Sequence, residues 1–180
     1  MRILEVRRHS MRRKPGEHLS QDGIKLARLV GEASGPFGLV VTSTIPRAIE
    51  TAIAMGFEVH ETLPALGEGM DLLYREVGWP NPFPRVARAV NDVTEGAEFA
   101  GRQSDLWASV VERVEDGQRA LIVTHGGFVE FGAVASVPNA DHDAWGIAIG
   151  YCEGVCLTFD GGFTECELLR VPEEYRLVEN

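Results

Sequence analysis

The chain has 180 residues, enough for a sheet covered on both faces and too few for two substantial units, so 1–180 reads as a single domain. A composition of 44% hydrophobic and 24% charged residues, without repeats or low-complexity tracts, excludes disorder, and no apolar run approaches the roughly 20 residues of a membrane helix. The formal net charge of -10 argues against nucleic acid or an anionic membrane as a partner.

In chain order, Ile3 to Val6 is a short β-prone run that ends in Arg7-Arg8-His9-Ser10, followed by a Lys-Pro-Gly loop. It predicts a first strand that delivers His9 at its C-terminal end. Charge interrupts this opening too early for a signal peptide, and the expected compartment is the cytoplasm. Arg2, Arg7, Arg8, Arg12, Arg13 and Lys14 crowd the start, opposed there only by Glu5. On an acidic protein such a patch suits a small anion held at one spot; a solvated charge run is the plainer alternative.

Ser20 is a good N-cap with Asp22 in the first turn, and Ile24, Ala27 and Val30 recur at helical spacing. Leu39-Val40-Val41 is apolar throughout, as in a strand buried on both faces. Pro46 opens the next helix and places Arg47 in its first turn. The stretch Trp79-Pro80-Asn81-Pro82-Phe83-Pro84 reads as a proline-rich surface loop inserted over the sheet edge, with Trp79, Phe83 and Arg85 candidates for contact with a ligand. Phe99, Gln103, Leu106, Val110 and Val114 trace a long amphipathic helix. Ala120 to Val123 is another apolar strand, with His125 and Gly126-Gly127 leading from it into a helix from Phe128 to about Ser136. A hairpin closes the chain: Gly154 to Phe159, a turn at Asp160-Gly161-Gly162, then Phe163 to Leu169.

Alternating strands and helices predict an α/β fold: a three-layer sandwich with a mostly parallel central sheet, helices on both faces and a C-terminal antiparallel hairpin. In such sheets ligands bind beyond the carboxyl ends of the strands. His9, Arg47 and His125 each lie at or just beyond a strand's C-terminal end, so three separate stretches converge on one edge. Two imidazoles with several guanidiniums call for a dianionic ligand, and planar arginine forks match phosphate oxygens. Gly126 and Gly127 could add backbone N–H donors at a helix N-terminus.

Cys152, Cys156 and Cys166 are an odd set that fits neither a disulfide framework nor a metal site, so packing is their expected role. Asp141-His142-Asp143 reads as an exposed polar loop, and no metal or cofactor is expected.

The segments Arg8-His9-Ser10, Ser43-Thr44-Ile45-Pro46-Arg47-Ala48-Ile49-Glu50-Thr51-Ala52 and Thr124-His125-Gly126-Gly127 resemble the histidine phosphatase, or phosphoglycerate-mutase-like, superfamily. Leu19-Ser20-Gln21-Asp22-Gly23 resembles that family's helix start. The resemblance implies His9 as nucleophile, with Arg8, Arg47 and His125 binding the transferred phosphoryl group; Arg12 matches a further arginine of some branches. It also implies a proton donor after the second helix, where Glu68 is the choice, with Glu61 and Asp71 as alternatives. The family usually has Gly after the Arg-His pair. Here Ser10 stands instead, either contacting phosphate or capping its own turn.

The resulting expectation is metal-independent hydrolysis of a small phosphomonoester through a phosphohistidine on His9. The alternatives are a phosphoglycerate mutase, which the chain's brevity disfavours, a protein phosphohistidine phosphatase, and a non-catalytic phosphate-binding module.

Overall fold

In the computed structural model, which describes residues 1–178, six strands form one sheet in the order β3-β2-β4-β1-β5-β6. The strands are β1 (Arg2–Arg8), β2 (Leu39–Thr42), β3 (Glu61–Thr62), β4 (Arg119–Thr124), β5 (Gly154–Phe159) and β6 (Phe163–Leu169). The first four in chain order run parallel, while β5 is antiparallel to β1 and β6 to β5. The mostly parallel sheet and its terminal hairpin match the sequence expectation.

Strand periodicity explains how one sheet supports two apolar layers. Because successive side chains point to opposite faces, Ala120 and Ile122 of β4 join one core cluster while Leu121 and Val123 join the other. The first cluster packs against α3 (Asp71–Glu76), α4 (Phe83–Asp92), α5 (Thr94–Val111) and α6 (Phe128–Ser136). The second packs against α1 (Gln21–Glu32) and α2 (Pro46–Ala54) through Leu26, Ala27, Ala48 and Ala52. The same alternation separates the two arginines of β1. Arg8 shares the face of Leu4 and Val6, while Arg7 turns with Glu5 and pairs with it at 2.9 Å.

Helix starts follow their local chemistry. The Ser20 hydroxyl accepts from the Gly23 N–H at 3.0 Å, and Pro46 occupies the first turn of α2, where its missing N–H has no helical partner to lose.

That same rule corrects the expectation at Trp79 to Pro84. Phe83 and Pro84 open α4 rather than extending a surface loop. Phe83 is fully buried and meets Trp145 edge-on at 5.1 Å between ring centroids. A proline is tolerated in a helix's first turn, and Phe83, Val86 and Val90 recur at helical spacing. The long helix also ends at Val111, so Val114 lies beyond it while remaining buried.

Candidate active site

Three strands end side by side, and His9 follows β1, Ser43 follows β2 and His125 follows β4; the two histidines line one cavity, while Ser43 is buried behind His125. The cavity, of about 200 Å³, is lined by both histidines together with Arg8, Arg47, Glu68 and Asp71, and is walled by Tyr74 and Trp79.

His9 is nearly buried and fixed at both ring nitrogens. Its Nδ1–H donates to the Ser10 carbonyl at 2.7 Å; since a carbonyl only accepts, the lone pair must lie on Nε2. Arg47 Nε–H donates to that Nε2 at 3.1 Å. Burial, followed by the His125 ring and Arg8, drives the His9 pKa well below its ordinary value, so the ring is neutral. The His125 pKa falls to about 3 through burial and then the charges of Arg47 and Arg8. His125 Nε2 lies 2.8 Å from the Ser43 hydroxyl, and its buried Nδ1 has no hydrogen-bond partner among the described residues. When Ser43 donates to Nε2, the hydrogen of the neutral ring lies on Nδ1.

Arg8 is held from several sides. Its Nη1 donates to the Ile149 carbonyl at 3.2 Å, and its guanidinium lies 4.1 Å from the Tyr151 ring centroid and 5.4 Å from that of Trp79. Helix α2 positions the loop after His9 as well as Arg47. Thr51 Oγ1 accepts from the Ser10 N–H at 2.9 Å, and the Glu50 carboxylate accepts from the Leu19 N–H at 2.7 Å.

Glu68 is exposed at the cavity mouth on a segment anchored from below. Thr124 Oγ1 donates to the Leu66 carbonyl at 2.5 Å and Gln103 Nε2 to that of Ala65 at 2.9 Å. Of the alternative acids, Asp71 lines the cavity, whereas Glu61 does not: it sits on the edge strand β3, ion-paired with Arg113 at 2.6 Å.

Three further expectations change. Ser10 is buried with its hydroxyl turned to the Gly23 carbonyl at 2.7 Å, so neither of its expected roles holds: local backbone geometry directs it away from the cavity. Arg12 does not line the cavity; its Nη1 donates to the Pro15 and Gly16 carbonyls, although its charge still reaches Arg47 and lowers that group's pKa. Arg2 and Arg7 serve the fold, donating to Val114 O and Cys152 O respectively, which leaves Arg8 as the one residue of the N-terminal cationic run on the cavity wall.

Trp79 lines the cavity as expected, but Phe83 belongs to the core and Arg85 is exposed away from the cavity. Gly126 is required by the tryptophan: a Cβ there would lie 2.5 Å from Trp79 Cζ2. Tyr74 adds a hydroxyl that donates to the Gly126 carbonyl at 2.6 Å. Ser43, Tyr74, Glu130 and Tyr151 escaped the sequence reading as site residues. Ser43 carries a usable signal, since it occupies after β2 the place that the histidines occupy after β1 and β4.

A family model described as "Histidine phosphatase superfamily (branch 1)" matches residues 5–172. No curated protein matches the chain in sequence. Among solved structures, phosphoserine phosphatase from Entamoeba histolytica in complex with 3-phosphoglyceric acid superposes with a TM-score of 0.70 at 16% identity, over 95% of this chain and 98% of that one. A mycobacterial glucosyl-3-phosphoglycerate phosphatase in complex with VO3 gives a TM-score of 0.65 at 20% identity, over 93% and 97% of the two chains. A phosphoglycerate mutase from Bacillus anthracis str. Sterne gives 0.62 at 17% identity, over 94% and 92%. At these identities the likeness shows the fold. The mutase is nearly matched in length, so brevity does not separate hydrolysis from mutation.

Proposed function

The chain belongs to the histidine phosphatase superfamily, and from that premise we propose that it hydrolyses a small phosphomonoester in two steps through a phosphohistidine on His9. The observation that carries the reading is the His9 tautomer: Nδ1–H is committed to the Ser10 carbonyl, which directs a neutral Nε2 lone pair toward the cavity.

A phosphomonoester brings nearly two negative charges, which must be neutralised before nitrogen approaches phosphorus. Arg8, Arg47 and the Nδ1–H of His125 supply that neutralisation. Arg47 Nε must exchange its bond to His9 for one to a phosphoryl oxygen, which frees the nucleophile as the electrophile arrives. Nε2 then bonds to phosphorus, the ester P–O bond breaks, and Glu68 gives its proton to the departing oxygen. In the second step Glu68, now a carboxylate, takes a proton from the water that attacks phosphorus, and His9 leaves as neutral imidazole.

Hydrolysis is favoured over return of the group to a second hydroxyl because Glu68 stands exposed at the mouth, where bulk water reaches it. The small cavity suits a compact ester. The structural neighbours include a phosphoserine phosphatase in complex with 3-phosphoglyceric acid and a glucosyl-3-phosphoglycerate phosphatase, which supports testing small phosphorylated hydroxy acids first.

The test is to quench the protein during turnover with labelled phosphoserine or 3-phosphoglycerate and to map the label. Acid-labile, base-stable phosphate on His9, absent from His9→Ala, is expected. Label on a serine or aspartate, or full turnover by His9→Ala, would overturn the reading. Retention of the label in a second organic acid rather than in inorganic phosphate would favour the mutase.

A further inference from the structure

Glu130 lies in the first turn of α6 with no solvent exposure, an environment that penalises an ionised carboxyl and raises its pKa to about 7. Its two oxygens reach two different parts of the active site. Oε2 accepts from the Gly127 N–H at 2.7 Å, in the turn that follows His125. Oε1 accepts from the Ile149 N–H at 2.8 Å, and the carbonyl of that same Ile149 receives Arg8 Nη1 at 3.2 Å. Ile149 is fully buried, so its N–H and C=O have no water to turn to, and these two bonds hold its peptide while Gly150 N–H donates to Glu153 Oε2 at 2.9 Å and Tyr151 N–H to the Leu177 carbonyl at 3.2 Å. Two residues on, Tyr151 lays its ring 4.1 Å from the Arg8 guanidinium and 5.7 Å from the His9 ring. The charge of Arg8 in turn lowers the Glu130 carboxyl pKa, which couples the two side chains electrostatically across the Ile149 peptide.

We propose that Glu130 is a positioning residue for phosphoryl binding: its carboxyl locks the His125-Gly126-Gly127 turn to the Ile149 peptide, and through that peptide it sets where Arg8 presents its guanidinium. A side chain that only capped α6 would need one oxygen, on the Gly127 N–H. The second oxygen spans to a segment 19 residues away, and that link gives the residue a role in the site. The inference rests on the phosphatase reading only in taking the ligand to be a phosphoryl group.

The experiment titrates inorganic phosphate into wild type, Glu130→Gln, Arg8→Lys and the double variant by calorimetry, with thermal unfolding recorded for each. Glutamine keeps the shape but has one acceptor oxygen for two N–H groups, so one bond must fail. The expected result is about a tenfold or greater loss of phosphate affinity in Glu130→Gln, and a double variant whose loss is smaller than the product of the single losses. Unchanged affinity in Glu130→Gln, with only a lower unfolding temperature, overturns the proposal and leaves Glu130 a helix cap. Losses that simply multiply also overturn it.

Glu130→Asp, which keeps the charge but lacks the reach for both N–H groups, carries the same cycle if the glutamine variant does not fold. Wild type that binds phosphate while the variants bind equally well sinks the Glu130 role alone. Wild type that binds none sinks the phosphatase reading, and this proposal with it.

Discussion

Arg47 Nε–H donates to His9 Nε2 at 3.1 Å, so the atom proposed to attack phosphorus is hydrogen-bonded to the group proposed to bind phosphate. Ground-state access to the lone pair and neutralisation of the incoming charge are thus one exchange of partners. Orthovanadate or phosphate should break the Arg47–His9 bond, seen as a shift of the His9 Nε2 resonance in 15N NMR. Arg47→Ala should cost 10² or more in kcat/KM, the usual loss for a preorganised donor. A His9 resonance unmoved by saturating phosphate would contradict the exchange.

His125 and Glu130 also predict how stability depends on pH. The His125 pKa is depressed from 6.5 to about 3, so the stability tied to its neutral form is present above pH 6.5 and is lost as pH falls toward 3. The Glu130 pKa is raised from 4.5 to about 7, and its sign is opposite: stability is present below pH 4.5 and is lost as pH rises through 7. Each term is on the order of a few kcal/mol, at roughly 1.4 kcal/mol per pH unit. Denaturant unfolding across pH 3–8 should show His125→Asn flattening the acidic limb and Glu130→Gln the other. Parallel curves for wild type and both variants would reject these assignments.

Close packing of Trp79 on the glycine after His125 makes a sharper test of the cavity wall. A Cβ at residue 126 would meet the indole at 2.5, 2.8 and 3.0 Å, closer than side chains pack. Gly126→Ala should therefore displace the ring from Arg8 and lower kcat/KM by about tenfold or more. Combining it with Trp79→Ala should recover part of that loss, because the clash is then gone. No recovery in the double variant would mean that the glycine is needed for the turn and not for the tryptophan.

What the sequence made legible follows the physics of each element. Ile3 to Val6 is a short β-prone run, and Leu39 to Val41 and Ala120 to Val123 are short apolar runs of the kind buried in a parallel sheet; once they were placed as strands, His9, Arg47 and His125 had to meet. The second ring of interactions was not legible. Glu130 bonds to the backbone of Ile149, and Tyr151 lays its ring beside Arg8, contacts between segments far apart in sequence that no spacing along the chain encodes. Ser10 misled because its neighbours are site residues, while the strand's end turns its hydroxyl to Gly23. Arg7 and Arg8 are adjacent in sequence but lie on opposite faces, so a charge count could not tell the structural arginine from the one that lines the cavity.

The assignment of Glu68 is tested through the leaving group, because a general acid matters only when the departing oxygen would otherwise leave as a high-energy anion. An alkyl alcohol is such a group. Glu68→Gln keeps the shape without the proton, so cleavage of an alkyl phosphate should fall by about 10²–10⁴ in kcat/KM, the usual contribution of a positioned acid. A nitrophenyl ester needs little protonation and should lose far less. The comparison has to be made in kcat/KM, since kcat includes hydrolysis of the phosphohistidine, where Glu68 acts again as base for either ester. Asp71 supplies the internal control, being the other carboxyl on the cavity wall, whereas Glu61 is paired with Arg113 at the sheet edge. Asp71→Asn should affect both esters alike and modestly. If instead Asp71→Asn shows the selective loss on the alkyl ester and Glu68→Gln does not, the acid has been assigned to the wrong carboxyl, and α3 rather than the segment anchored by Thr124 and Gln103 delivers the proton.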